Sequence, residues 1–331
     1  MIVLGIETSC DDTSAAVCRD GEITSNVIST QIVHRKFGGV VPELASRSHI
    51  KMILPVIRNA LEQSGVSRKD IEGIGVTFGP GLSGSLLVGL SSAKALALSL
   101  DVPLIGINHL EGHLWANKLT QKDLVPPFLT LIVSGGHTQL VLTRDWGDYQ
   151  IIGRTRDDAA GEAFDKVARL LKLGYPGGPF IEKEAQSGES TYVSFPRGLH
   201  KEETFDFSFS GLKTAVLNHT ELIGPQETEK KRAHICASFQ EAVVDVLSRK
   251  VVQAARQLDV TRICLAGGVA MNKALRERVN ILAKTAGFRF YWPGPSLCTD
   301  NGGMIAGVAH HYLAEGHTSP LTLAPNPSLN F

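Results

Sequence analysis

Residues 2–7, 13–18 and 23–29 are short apolar or β-branched runs that predict three β-strands. A polar turn at residues 8–12 and a hairpin turn at Asp20-Gly21 join them. From Pro42 the period changes. Ile50, Ile53, Leu54, Ile57 and Leu61 recur at helical spacing and predict a helix with an apolar stripe, bent at Pro55. Next come a strand (74–78), a glycine loop (79–84), a buried helix (85–100), a strand (104–107) and a further helix. Residues 120–127, polar and ending in two prolines, read as a linker.

After the linker the pattern starts again. Residues 129–134, 138–143 and 149–154 predict three strands, with a turn at 145–148 and a helix over about 161–171. The strand 262–266, the pair Gly267-Gly268, a helix from about Asn272, the strand 289–292 and a helix opening at Asp300 complete the set. First strands recur after 127 residues and the later strand–loop–helix units after 188, a difference that fits an insertion over about 173–232. The fold class expected is therefore α/β, with two similar lobes and a cleft between them where a small ligand binds. The expected division is a first lobe over 1–120, a second over 128–300 carrying the insertion, and a C-terminal helix and tail over 301–331.

Composition narrows the partners. The 331 residues are 43% hydrophobic and 20% charged, and 33 Lys plus Arg balance 33 Asp plus Glu. No net field draws nucleic acid or an anionic membrane, so a polyanion must find a local basic patch. Five scattered cysteines (Cys10, Cys18, Cys236, Cys264, Cys298) without C-x-x-C spacing read as reduced thiols. The chain enters its first strand with no basic leader, and the apolar helix 85–100 is interrupted by Lys94 and serines. A cytoplasmic protein with no membrane association is expected.

Candidate chemistry centres on Asn108-His109-Leu110-Glu111-Gly112-His113. Two imidazoles four residues apart share one helix face, so both ring nitrogens can reach one metal ion. By the repeat, the helix opening at His109 corresponds to the one opening at Asp300. Equivalent helix starts in facing lobes would bring that carboxylate from the other lobe to the two imidazoles. Three protein ligands with open positions suit a metal that handles substrate, and nitrogen and oxygen donors suit Zn, Fe or Mn. The bland alternatives are two partly exposed helix histidines and, for Asp300, a helix N-cap. Glu111 lies about 200° around the helix from the ligand face, unlike the glutamate of a His-Glu-x-x-His peptidase. Four glycine or polar turns (8–12, 79–84, 134–136, 267–268) are candidate anion cradles. The loop 79–84 matches G-x-G-x-x-G, but it lacks a P-loop lysine and its next strand ends at Asn108-His109, not at the acidic residue a dinucleotide ribose needs.

These motifs together resemble a known family across essentially the whole chain. They are the run Gly5 to Thr13, His109 to His113, Val133-Ser134-Gly135-Gly136-His137-Thr138 and the runs 157–166, 175–179 and 207–214. Gly267-Gly268-Val269-Ala270 and Cys298-Thr299-Asp300-Asn301 belong with them. The chain resembles the bacterial TsaD type of tRNA threonylcarbamoyl transferase. That resemblance implies two actin-like (ASKHA, ribonuclease-H-like) lobes. It also implies transfer of a threonylcarbamoyl group from threonylcarbamoyl-AMP to the exocyclic N6 amine of the tRNA adenosine 3′ of the anticodon, position 37, with release of AMP. It further implies one divalent transition metal per chain, Fe or Zn, on His109, His113 and Asp300. Substrate positions are Ile132, Val133, Ser134, Gly135, Gly136, Asp165, Gly178 and Asn272. Implied partners are tRNA, a TsaB-like paralogous subunit and a TsaE-like ATPase. Glu182 departs from the aspartate common at its position. Glu7 and Asp11 are second-rank candidates for proton transfer. The rival readings are a sugar-kinase-like phosphotransferase and a non-catalytic nucleotide-binding scaffold.

Overall fold

The computed structural model describes residues 1–199 and 202–331, so residues 200 and 201 of the expected insertion lie outside the described residues. The chain forms two compact units, one of residues 1–124 with 293–331 and one of residues 125–292.

The first unit contains β1 (Ile2–Glu7), β2 (Asp12–Arg19), β3 (Glu22–Thr30), α1 (Pro42–Ser64), β4 (Gly73–Gly79), α2 (Ser83–Leu100), β5 (Leu104–Asn108) and α3 (His109–Thr120). The second contains β6 (Phe128–Val133), β7 (Thr138–Asp145), β8 (Asp148–Arg154), α4 (Ala160–Leu170), α5 (Gly177–Ala185), α6 (Ser210–Gln257), β9 (Arg262–Ala266), α7 (Lys273–Thr285) and β10 (Arg289–Tyr291). The chain then returns to the first unit with α8 (Pro295–Cys298) and α9 (Gly302–Ala314). The sheets run β3-β2-β1-β4-β5 and β8-β7-β6-β9-β10, with antiparallel hairpins on one side and parallel strands on the other. The repeat is thus one sheet topology used twice.

Two expectations change, and the insertion gains its elements. The division at residue 300 moves to 293: the segment after β10 packs on the first sheet, where α9 lies across β1, β2 and β4. The insertion holds α5 and the first part of α6, a long helix broken at Gly224 (φ 77°) before Pro225. The α1 stripe is only partly right. Ala45, His49, Ile53, Val56, Ile57 and Ala60 face the core, whereas Ile50 and Leu54 are 64% and 63% exposed. Size misled the pattern, because two of the buried positions are the small residues Ala45 and Ala60.

Leu4 and Ile6 of β1, Ile74 and Val76 of β4, and Leu90 and Ala93 of α2 close the first core. Among the described residues, α2 is the helix long and apolar enough to cross a membrane; it packs on α1 and β4 through Leu86, Leu90, Ala93 and Ala97.

Candidate metal centre and substrate loops

Strand β5 hands over directly to α3. The Asn108 side chain caps that helix, accepting the Leu110 N–H at 2.9 Å, while its own amide donates to Asn330 O at 3.2 Å. Every α3 residue from 109 to 117 is buried, so the two imidazoles are held by packing on all sides. Asp300 comes from the turn before α9. Asn301, not Asp300, caps α9 by accepting the Met304 N–H at 2.9 Å. The Gly302 N–H donates to Ser14 Oγ at 2.7 Å and the Gly303 N–H to Asn26 Oδ1 at 3.2 Å. Four residues of the first sheet's hairpin and the α9 start therefore fix the backbone around Asp300.

The helix lies close enough to the sheet that a Cβ on Gly5 would sit 2.4 Å from Ala306 N and 2.5 Å from Gly302 O. This near-contact carries Asp300 to the histidines. Its Oδ1 is 3.5 Å from His109 Nε2 and 3.3 Å from His113 Nε2, and the three donor atoms lie within 4.8 Å of one another. The rings meet edge to face with centroids 4.8 Å apart. Two donors each bound to a tetrahedral zinc lie about 3.3 Å apart, so these separations fit a shared cation. Both His113 nitrogens are buried without a hydrogen-bond partner, which a metal at Nε2 would relieve in part. All three residues belong to the first unit, which corrects the expectation that the carboxylate comes from the other lobe.

Burial alone would discharge His109, but the Asp300 and Glu7 carboxylates outweigh it and push its pKa up to about 9. Burial likewise opposes ionisation of Glu7, and the His109 charge and hydrogen bond reverse it, holding the carboxyl below its ordinary range. Asp12 is pushed up to about 7, chiefly by burial and then by Asp300; Asp11 is raised mainly by burial. Glu111 accepts the Tyr312 hydroxyl at 2.5 Å.

The candidate substrate residues all lie in the second unit. Ile132 and Val133 end β6, fully buried, and Ser134-Gly135-Gly136 turns into β7 with the His137 N–H donating to Ser134 Oγ at 3.2 Å. Gly135 and Gly136 are exposed and border open space. Beside them, Gly267 (φ 87°) passes so near that a Cβ would lie 2.4 Å from Val133 O, and the Gly161 N–H donates to Ser134 O at 3.2 Å. Asp165 Oδ1 accepts the Gly177 N–H at 2.6 Å at the start of α5, whose next residue, Gly178, also borders open space. Asn272 caps α7 through Leu275 N–H at 3.0 Å and donates to Gln240 Oε1 at 2.8 Å. Glu182, the residue that departs from the common aspartate, accepts the Lys273 N–H through Oε1 at 2.6 Å, whereas Gln240 is a neighbour that sequence reading did not find. The loop at 79–84 is a different case. The Gly81 N–H donates to Pro327 O and the Leu82 N–H to Ser9 O, so two of its donors are committed within the protein and the expected anion cradle there is weakened.

Among known families, the model of the one described as TsaD, tRNA N6-adenosine threonylcarbamoyltransferase, matches residues 22–307. A protein of that name from Clostridium perfringens is 52% identical over 99% of this chain and 97% of its own length, and one from Clostridioides difficile is 51% identical over 99% and 98%. Two solved structures share the fold at 15% identity. Full-length HypF superposes with a TM-score of 0.62 over 93% of this chain and 45% of its own. The activator of 2-hydroxyisocaproyl-CoA dehydratase from Clostridium difficile superposes with 0.57 over 95% of both. On a family match spanning most of the chain and half-identical relatives along its whole length, the chain belongs to the TsaD family of transferases that modify tRNA, the tRNA N6-adenosine threonylcarbamoyltransferases.

Proposed function

We propose that this transferase takes threonylcarbamoyl-AMP as donor, passes the threonylcarbamoyl group to the N6 amine of adenosine 37 of tRNA, and releases AMP. The observation that carries the reading is the convergence of His109, His113 and Asp300 from α3 and the α9 start. A divalent cation on these three donors, iron or zinc as the family resemblance implies, would supply a Lewis acid for a carbonyl that gains negative charge in acyl transfer. A mixed anhydride is already activated, so no nucleophilic side chain is needed. What remains for the protein is to hold the leaving phosphate and to present the amine within reach. The turn 134–136, Gly178 and Asn272 of the second unit are assigned to the adenylate. Exposed backbone at a strand end and at helix starts suits its phosphate and ribose. Asp165 acts through its bond to Gly177, which sets the α5 start.

An anticodon loop offers unstacked bases for such a site. With zero net charge the chain has little general attraction for the tRNA backbone, so helper subunits, a TsaB-like paralogue and a TsaE-like ATPase, complete the RNA site. A sugar-kinase-like phosphotransfer gives no use to two buried imidazoles facing a carboxylate.

The test combines the purified protein, helper subunits, threonylcarbamoyl-AMP and tRNA and measures modified adenosine. His109→Ala and Asp300→Ala should each lower the yield by at least about 100-fold while the melting temperature holds within a few degrees. Elemental analysis should find about one transition metal per wild-type chain. Turnover by either variant at the wild-type rate would falsify the metal role.

A further inference from the structure

We propose that Glu7 is a positioning residue for the metal centre, an inference that rests on the metal reading above: its carboxylate holds the proton of His109 on Nδ1 and thereby turns the Nε2 lone pair toward Asp300. Glu7 ends β1, fully buried, and each of its oxygens is engaged. Oε1 accepts the Ser9 N–H at 2.5 Å; Oε2 accepts the Thr77 hydroxyl at 2.6 Å and the His109 Nδ1–H at 3.0 Å. A carboxylate so committed is badly placed to shuttle protons to a substrate, and well placed to fix a ring. Ser9 Oγ, 3.1 Å from the same Nδ1, is the competing partner. A serine hydroxyl can accept or donate, so it does not select a tautomer. An ionised carboxylate can only accept, so it does. The metal-facing nitrogen is fixed as a consequence, because Nδ1 and Nε2 cannot both carry the proton when a cation occupies Nε2.

The two histidines are unequal in this respect. His113 Nδ1 is buried without a hydrogen-bond partner, so His109 is the ligand whose orientation the protein sets through a second residue.

The geometry also explains why an amide cannot replace the acid. Three donors converge on Glu7. A glutamine would have to aim its NH2 group at the Ser9 N–H, or at His109, which would then accept at Nδ1 and carry its proton on Nε2, where the metal belongs.

The test is zinc binding by the full chain, read by competition with a chromophoric chelator. Glu7→Gln should bind Zn²⁺ about 10–100-fold more weakly, and Ser9→Ala within about threefold of wild type. The visible spectrum of the Co²⁺-loaded Glu7→Gln protein should shift, which a merely structural loss of stability would not produce. A wild-type measurement guards against a variant that fails to fold. In the zinc-loaded protein His109 should show an exchange-protected Nδ1–H resonance, absent from His109→Asn. Wild-type zinc affinity in Glu7→Gln, a loss carried by Ser9→Ala instead, or no Nδ1 proton on His109 would each overturn the proposal. If His109→Ala itself keeps its zinc, it is the metal reading that fails.

Discussion

His109 and His113 sit one turn apart on the same helix face yet meet different surroundings. His109 lies between Glu7 at 3.0 Å and Asp300 at 3.5 Å, whereas His113 faces Asp300 alone among the ion pairs it makes. Metal-free His109 therefore holds its proton up to about pH 9, because the two carboxylates outweigh burial. A metal must displace that proton. Its apparent affinity should climb about tenfold per pH unit on account of His109 and level off near pH 9. The same shift acts on folding with the opposite trend. A raised folded-state pKa contributes stability that is complete below the unfolded value of 6.5 and is lost as pH rises through 9. Metal-free wild type should accordingly lose melting temperature between pH 6.5 and 9.5 relative to His109→Ala, and zinc should remove the difference. Zinc titrations at four pH values and paired melts measure both, and an affinity flat across that range would reject the electrostatic account. The imidazole pair was legible from i, i+4 spacing alone. Glu7 was visible as a second-rank candidate for proton transfer but not as a partner of His109, since nothing in sequence spacing reveals that its neighbour is a residue 102 positions away.

At the scale of elements, the site depends on how closely α9 lies on the first sheet. Gly5 of β1 faces Ala306 and Gly302 of α9, and a Cβ on Gly302 would in turn lie 2.6 Å from the backbone of Ala15 in β2. Small residues on both surfaces set the layer spacing, and Asp300 stands just before the helix they seat. Gly5→Ala should therefore lift the α9 start, costing about 1–3 kcal/mol of stability and weakening zinc binding as well. Paired melts and chelator competition would show it; a destabilised protein with wild-type zinc affinity would mean that α9 does not position Asp300. Strands were the easiest elements to read, since β1 and β9 fall where alternation and apolar runs placed them. Helix faces were harder. Ile50 and Leu54 drew attention by size, although the buried face of α1 is the one bearing Ala45, His49 and Ala60. The long α6 was not read from the sequence because the insertion disrupts the repeat that guided the rest, and Gly224-Pro225 interrupts the helical period.

For the molecule as a whole, the sequence showed the duplication but not its ownership of the last segment. Two equal sheets suggested two consecutive lobes, and simple succession gave everything before residue 300 to the second. The chain instead completes its first unit last. Residues 293–331 carry α8, α9 and a tail that bonds back to β5 and its neighbours: the Ser319 N–H donates to Leu104 O at 2.7 Å and the Asn326 N–H to Phe78 O at 2.7 Å. The first sheet's core is therefore unfinished, and its carboxylate missing, until the second unit has been made. The second unit is continuous from 125 to 292 and has a sheet, helices and core of its own. The points where the chain leaves and re-enters the first unit are neighbours, with the Gly294 N–H donating to Thr120 Oγ1 at 3.3 Å. A Gly/Ser linker of about eight residues, spanning about 15 Å on average, can replace the second unit. Residues 1–124 so joined to 293–331 should melt cooperatively and bind one Zn²⁺ per chain, whereas residues 1–124 alone should do neither. If the joined protein folds but binds no zinc, the three donors need the second unit after all, and the metal centre does not belong to the first unit alone.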